Sequence, residues 1–306
     1  MIRRIAVIGP RRRRTGTGPF VSGFLRESGC EVLSWDRAEA GLLLDPGRSR
    51  PEVDAVAICS PPETHLDYLR AALAKGLHVF CEKPIVWPPD HSCQSFEGII
   101  DALAGAVDGA ARDGLTVHEN TQWVYTLGDF RRLAGEAGPD DVKQFRCEMS
   151  PTAAGPAEMT MESSAHANAL LLSLGCAGIE ELSVRFEPDE QHQKAALDFE
   201  FRSRTPSGSP VEAEYSFVQQ LDQPRHAAYE VNHRRVERRV EVDGYRISLR
   251  SETEELAIRD PLRSSVEDFL AKAGAGPAGR EPYDRIINNT RMSYTLLKAA
   301  SGIAHA

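Results

Sequence analysis

Two groups of residues in this chain have the types and spacing to move a proton or hold a developing charge. The first is Lys83, which follows the apolar run His78-Val79-Phe80-Cys81 within Glu82-Lys83-Pro84. A short run of this kind is the pattern of a strand buried on both faces. Open α/β sheets bind their ligands at the carboxyl ends of such strands, so a lysine held there by a proline turn stands where chemistry is done. The second group is Glu162 and His166, four residues apart in Met161 to Leu172, a stretch with no breaker before Gly175. That spacing puts both side chains on one face of a predicted helix. An imidazole with an ordinary pKa of about 6.5 gives or takes a proton near neutral pH. An ammonium hydrogen-bonds a reacting oxygen or nitrogen and holds negative charge as it develops.

The elements that must position Lys83 are legible around it. Ala55 to Cys59 is a second apolar, β-branched run, stopped by Ser60-Pro61-Pro62 because proline cannot donate to a sheet ladder. Thr64 is expected to cap a helix beginning at His65, with Leu66, Leu69, Leu73 and Leu77 as its apolar stripe and Gly76 as its breaker. At the amino end, Arg4 to Gly9 predicts an opening strand that runs into the loop PRRRRTGTGPF. A glycine-rich turn followed by a helix N-terminus meets a pyrophosphate with backbone amides. Gly9, Gly16, Thr17, Gly18, Pro19 and Phe20 are the candidates here, with Pro19 suited to the first helical turn. The spacing departs from Gly-x-Gly-x-x-Gly, since several residues separate Gly9 from Gly16 and Val21 stands at the third glycine.

Cys30 to Arg37 predicts the second strand and its end. Asp36 there is placed to bind ribose hydroxyls and to repel a 2′-phosphate, which favours NAD. Arg37 and the run Arg11 to Arg14 suit phosphate oxygens and keep NADP open; as a solvated loop the run needs no ligand. Asp90 to Gly114 predicts a long helix and Leu115 to Asn120 a strand. His118 and Glu119 are adjacent on that strand and point to opposite faces, so no metal site is expected.

The ordered array Ser60-Pro61, His65 and Glu82-Lys83-Pro84 resembles the signature of the Gfo/Idh/MocA family, the glucose–fructose oxidoreductase and inositol dehydrogenase group of NAD(P)-dependent oxidoreductases. The resemblance implies that Ser60, Pro61, His65, Glu82, Lys83 and Asn120 surround the cofactor. It implies that Lys83, Gln122, Trp123 and His166 meet the substrate, with Lys83, His166 and Glu162 catalytic and the histidine's helix pointing into the cleft beside the lysine. Three positions depart from the family pattern: Gln122 stands where arginine is usual, Glu162 where aspartate is usual, and Ala169 where a second acid is frequent.

The same resemblance fits the texture of the rest of the chain. From Asp140 the sequence alternates as half-buried strands do, at Val142 to Met149, Glu181 to Phe186, Ala195 to Arg202 and Val211 to Val218. A long strand, Tyr229 to Val242, and Tyr245 to Arg250 flank Asp243-Gly244, a hairpin signal. Arg234-Arg235 and Arg238-Arg239 are expected on a solvated face, and two helices, from Leu262 to Ala273 and from Tyr283 to Ala300, close the chain. The expected fold class is α/β, with an N-terminal Rossmann doubly wound parallel sheet over residues 1–124. An α+β domain on an open, mostly antiparallel sheet is expected over residues 125–306, its last helix packing back on the first domain. The resemblance implies a homo-oligomer, a dimer or tetramer, formed through that sheet.

At 306 residues the chain exceeds one ordinary core. A net charge of −9 argues against nucleic-acid and membrane-surface partners. Six scattered cysteines without Cys-x-x-Cys, and no signal-peptide core after Met1, point to a reducing cytoplasm. The function expected is hydride transfer between NAD or NADP and a small polar alcohol, carbonyl, amine or imine. A cofactor-binding regulator without turnover, or a lyase, hydrolase or epimerase in which NAD cycles, are the alternatives.

Overall fold

The computed structural model describes residues 2–9, 17–49, 51–90, 92–135, 137–188, 194–243, 245–276 and 279–303. Contacts divide the chain into two compact units, Met1–Thr121 with Leu262–Thr290, and Gln122–Pro261 with Arg291–Ala306.

The first unit is built on strands β1 (Arg4–Ile8), β2 (Glu31–Trp35), β3 (Ala55–Ile58), β4 (His78–Glu82) and β5 (Val117–Asn120), with helices α1 (Gly18–Glu27), α2 (Arg37–Leu44), α3 (His65–Ala74) and α4 (Cys93–Asp113) between them. The strands are parallel in the order β2-β1-β3-β4-β5. Every residue of β3 is fully buried, as its unbroken apolar sequence requires of a strand covered on both faces. The chain leaves β1 for β2 on one side and returns to β3 on the other. Right-handed crossovers therefore put α1 on one face and α2, α3 and α4 on the opposite one, and the crevice of such a sheet opens between β1 and β3.

Two local expectations need correction. The Thr64 hydroxyl does not cap α3; it donates to the Pro61 carbonyl at 2.8 Å and pairs with the Ser60 hydroxyl at 2.7 Å. The buried line of α3 is His65, Leu69 and Ala72, while Leu66 and Leu73 are half-buried. Helix α2 was not expected at all.

The second unit begins with α5 (Leu127–Ala134) and then carries β6 (Gln144–Met149), α6 (Pro156–Ser173), β7 (Ala177–Glu187), β8 (Ala196–Arg204), β9 (Pro210–Val218), β10 (Ala227–Val231), β11 (Arg234–Glu241), β12 (Arg246–Arg250) and β13 (Glu255–Ile258). Its eight strands run β13-β12-β11-β10-β6-β9-β8-β7, antiparallel except for β6 beside β9. One face packs Phe145, Phe199, Tyr215 and Phe217 against Leu170 and Leu171 of α6. The other carries cross-strand ion pairs, among them Arg146–Glu214, Arg185–Asp198 and Arg202–Glu212.

The single long strand expected from Tyr229 to Val242 is a hairpin, β10 and β11, turning at Asn232 and His233. Arg238 thereby turns to the core face, its guanidinium over the Trp123 ring, the exposed Arg234 donates to the Ala134 carbonyl, and Arg235 on the other face grips Glu148. The four arginines are not one solvated face. Gly244 lies outside the described residues.

Two helices end the chain, α7 (Pro261–Ala275) and α8 (Glu281–Ile303). Leu262, Val266 and Phe269 of α7 join Val21 and Leu25 of α1 over Ile5, Val7, Ala55 and Ala57. This apolar stripe places α7 with the parallel sheet, so the division differs from a single cut after residue 124. In α8 the unit boundary falls after Thr290, and Met292, Leu296 and Ala300 enter the core of the second unit. Among the described residues, no helix is long and apolar enough to cross a membrane.

Candidate functional site

The carboxyl ends of β1, β2 and β3 enclose a cleft of about 890 Å³. Gly9, Asp36, Arg37, Ser60, Pro61 and Tyr68 are among the residues that line it. Gly9 has φ +84°, and a Cβ there would lie 2.7 Å from the Cys59 carbonyl oxygen, so only glycine fits where β1 and β3 part. A cradle of bare backbone beside a helix N-terminus suits the phosphates of a dinucleotide. Thr17 stands before α1, with Gly18 and Pro19 in its first turn. Phe20 is 45% exposed. Gly16 and the arginines 11–14 lie outside the described residues.

Asp36 sits at the end of β2 as expected, but its carboxylate has work there already. Its Oδ1 accepts hydrogen bonds from the amides of Ala38 and Glu39, and the Glu39 carboxylate accepts one from the Asp36 amide. This is a capping box on α2. The signal was present in the sequence as an acid followed three residues later by glutamate.

At the end of β4, Glu82 is half-buried and its Oε1 accepts a bond of 2.6 Å from Asn120 Nδ2 on β5. Burial pushes the Glu82 carboxyl up, while Asn120, the Lys83 ammonium and the Thr17 hydroxyl hold it down. Asn120 is 1% exposed, and its Oδ1 has no hydrogen-bond partner among the described residues. Such an atom is an open place for a donor. Lys83 is joined to Pro84 by a cis peptide.

His65 is not on an open ligand face, contrary to expectation. It is fully buried, with Nδ1 2.9 Å from the Pro84 carbonyl oxygen and Nε2 2.7 Å from that of Ser60. It ties the loop after β3 to the loop after β4. Burial lowers its pKa, against the pull of the two carbonyls and of Glu63.

Sequence reasoning missed the role of the two residues before Asn120. His118 stacks on Phe80, bonds Ser265 at 3.0 Å and lies 3.9 Å from Asp268, all on the α7 side of the sheet. Glu119 faces the other way. Its Oε1 accepts from the Ile85 amide at 3.0 Å and its Oε2 from Asn289 Nδ2 at 2.8 Å. Burial pushes the Glu119 carboxyl up to about 7 and His118 down to about 4. Nothing local in the sequence marks Ser265, Asp268 or Asn289 as their partners.

In the second unit, residues 163–171 of α6 are buried without a break. His166 is 8% exposed and Ala169 2%. The Glu162 carboxylate accepts bonds from the Thr152 amide at 2.7 Å and the Thr152 hydroxyl at 2.8 Å, and pairs with Arg225 at 3.6 Å. Gln122 begins a short 3-10 turn and is half-buried. Trp123 packs into the core beneath Arg238 at 6% exposure, a position its size explains without a substrate.

Residues 36–102 match the family described as "Oxidoreductase family, NAD-binding Rossmann fold". A segment of 57 residues, 19% of this chain, is 40% identical to the inositol 2-dehydrogenase of Rhizobium meliloti, and it spans 14% of that relative. In fold the chain is similar to a probable dehydrogenase from Thermotoga maritima, with a TM-score of 0.66 and 15% identity over 98% of this chain and 97% of that one. It is also similar to the UDP-N-acetylglucosamine 3-dehydrogenase of Acidithiobacillus ferrooxidans, with a TM-score of 0.63 and 19% identity over 100% and 98% of the two chains.

Proposed function

We propose, from the premise that this chain belongs to the Gfo/Idh/MocA oxidoreductase family, that it transfers hydride between a nicotinamide and a small polar alcohol or carbonyl, or the matching amine or imine. The observation that carries the proposal is Lys83 at the carboxyl end of β4, in a parallel sheet whose crevice is floored by a glycine that tolerates no side chain. Gly9, Thr17, Gly18, Pro19 and Phe20 would hold the cofactor's phosphates, with Asp36 at its ribose and Ser60, Pro61, Glu82 and Asn120 along its length. The bound dinucleotide supplies or accepts the hydride. Among the described residues, Asp36, Glu63 and Asp67 outnumber Arg37 along the cleft, a balance that favours NAD over a ribose carrying a phosphate.

Lys83 donates a hydrogen bond to the reacting oxygen or nitrogen and steadies negative charge there. His166 takes the proton in oxidation and returns it in reduction. Glu162, held by Thr152 and Arg225, sets the face of α6 that carries His166. Gln122 would hydrogen-bond a neutral substrate, where arginine would select an anion. The names of the relatives support a secondary alcohol of a cyclitol or sugar derivative as substrate. We place the protein in the cytoplasm. A homo-oligomer through the open sheet face would match charge with charge there.

The test is NADH and NADPH binding by fluorescence, followed by turnover on a panel of cyclitols, sugars and nucleotide sugars. Lys83→Ala and His166→Ala should each lower kcat by about 10²–10⁴-fold with cofactor Kd little changed. Binding without turnover on any panel member would favour the regulator. Conversion of substrate with no net change in NADH absorbance would favour a transient-redox lyase, hydrolase or epimerase.

A further inference from the structure

We propose that His65 and Glu119 are positioning residues that clamp one peptide group from both ends and thereby fix the Lys83 ammonium, a role that rests on the reading of Lys83 above. The peptide is Pro84–Ile85, directly after the lysine. Its oxygen meets His65 Nδ1 at 2.9 Å, and its N–H donates to Glu119 Oε1 at 3.0 Å. A peptide unit is planar, so holding both poles sets the orientation of the whole group. Pro84 has a locked φ, which passes that constraint back toward Lys83.

Each jaw has its own anchor on a different element. His65, on α3, reaches the Ser60 carbonyl through Nε2, and Glu119, on β5, receives Asn289 of α8. Carbonyl oxygens only accept, and burial lowers the His65 pKa, so the neutral ring donates its one N–H to one of the two carbonyls and packs its other nitrogen against the second. The peptide thus presents its oxygen to the imidazole and its N–H to the Glu119 carboxyl group. The charged groups facing Glu119 are Lys83 and Glu82; the charged group facing His65 is Glu63. Lys83 directly precedes Pro84, so the clamped peptide is one residue from the one that carries the ammonium.

Burying two ionisable side chains costs stability that leucine or methionine would not. Positioning is where such groups return a gain, because a reacting group displaced by about 1 Å loses on the order of 10²-fold in rate.

The experiment compares wild type with Glu119→Met and His65→Leu, which remove a jaw but keep its volume, and with Glu119→Gln, whose amide oxygen still accepts from Ile85. Three quantities are read: kcat and KM on the best panel substrate, NADH Kd, and the rate at which acetic anhydride modifies Lys83, followed by peptide mass spectrometry. Glu119→Met and His65→Leu should lower kcat about 10–100-fold, hold KM and Kd within about threefold, and change the Lys83 modification rate by more than about threefold. Glu119→Gln should recover most of the lost kcat and the wild-type modification rate. Folded jaw-less variants whose kcat and Lys83 modification stay within about twofold of wild type would overturn the clamp, as would a Glu119→Gln protein that recovers neither. The modification rates decide the clamp even if no panel substrate turns over, so its failure and that of the proposed function are told apart.

Discussion

Asp36 shows how one side chain can carry a structural and a binding role that experiment separates. Its capping box with Glu39 starts α2, and its position at the end of β2 lines the cleft. Truncating an N-cap acid costs about 1 kcal/mol, and breaking the returning bond somewhat less. Glu39→Ala should therefore lower the melting temperature while the affinities for NAD and NADP hold. Asp36→Ala should lower the melting temperature and also move the preference toward NADP. A wild-type preference retained in Asp36→Ala, measured by NADH and NADPH titration, would assign Asp36 to the helix alone. His65 and Trp123 teach the same lesson about residue types. Both were visible as candidates, yet burial gave one to two backbone carbonyls and the other to a core. Residue identity sets what a group can bond, and only packing decides which partner reaches it.

At the scale of elements, the buried runs of the first unit were legible because parallel strands covered on both faces have one apolar signature. The hairpin of β10 and β11 was not, because its turn is Asn232-His233 and carries no glycine. Its mark is a change of parity: Tyr229 and Val231 are core residues at odd positions, and Val236 is one at an even position. A strand read through that change would turn its second half inside out. Both turn residues have positive φ, +50° at Asn232 and +64° at His233. Asparagine visits this region readily and uses its side chain well, accepting from the amides of Lys143 and Gln144 and donating to the Asp141 carbonyl. His233 is strained there and its side chain is 84% exposed. His233→Gly should relieve about 1–2 kcal/mol of strain against about 0.5–1 kcal/mol of added chain entropy, for a small net gain in stability. Thermal denaturation reads this as a modest rise in melting temperature; a fall would mean that the histidine makes a contact worth more than its strain. Strand β13, four residues long, and helix α5 escaped notice because each is too short for its period to stand out.

Over the whole chain, the least legible features were buried polar pairs that join distant segments. Glu119 bonds a residue 170 positions away and His118 one 147 positions away, separations that leave no local pattern. These two neighbours on β5 also predict how stability responds to acid. His118 is packed by Phe80, Phe269, Ser265, Asp268 and Lys272, and burial lowers its pKa from 6.5 to about 4. A histidine kept neutral contributes stability that is complete above its unfolded pKa and is lost as pH falls toward the folded value. Glu119 behaves in the opposite sense, since burial raises its pKa from 4.5 to about 7. Its contribution is complete below 4.5 and is lost as pH rises toward 7. Each contribution is about 3 kcal/mol at full extent, so the two nearly cancel across the same window. Wild type should therefore show little net pH dependence from this pair between about pH 4.5 and 6.5. Glu119→Gln should lose stability as the solution is acidified through that window, and His118→Asn should gain it. Urea unfolding at several pH values, with each variant compared to wild type, measures both slopes. Parallel slopes in all three proteins would show that neither group is held in the ionisation state its burial demands.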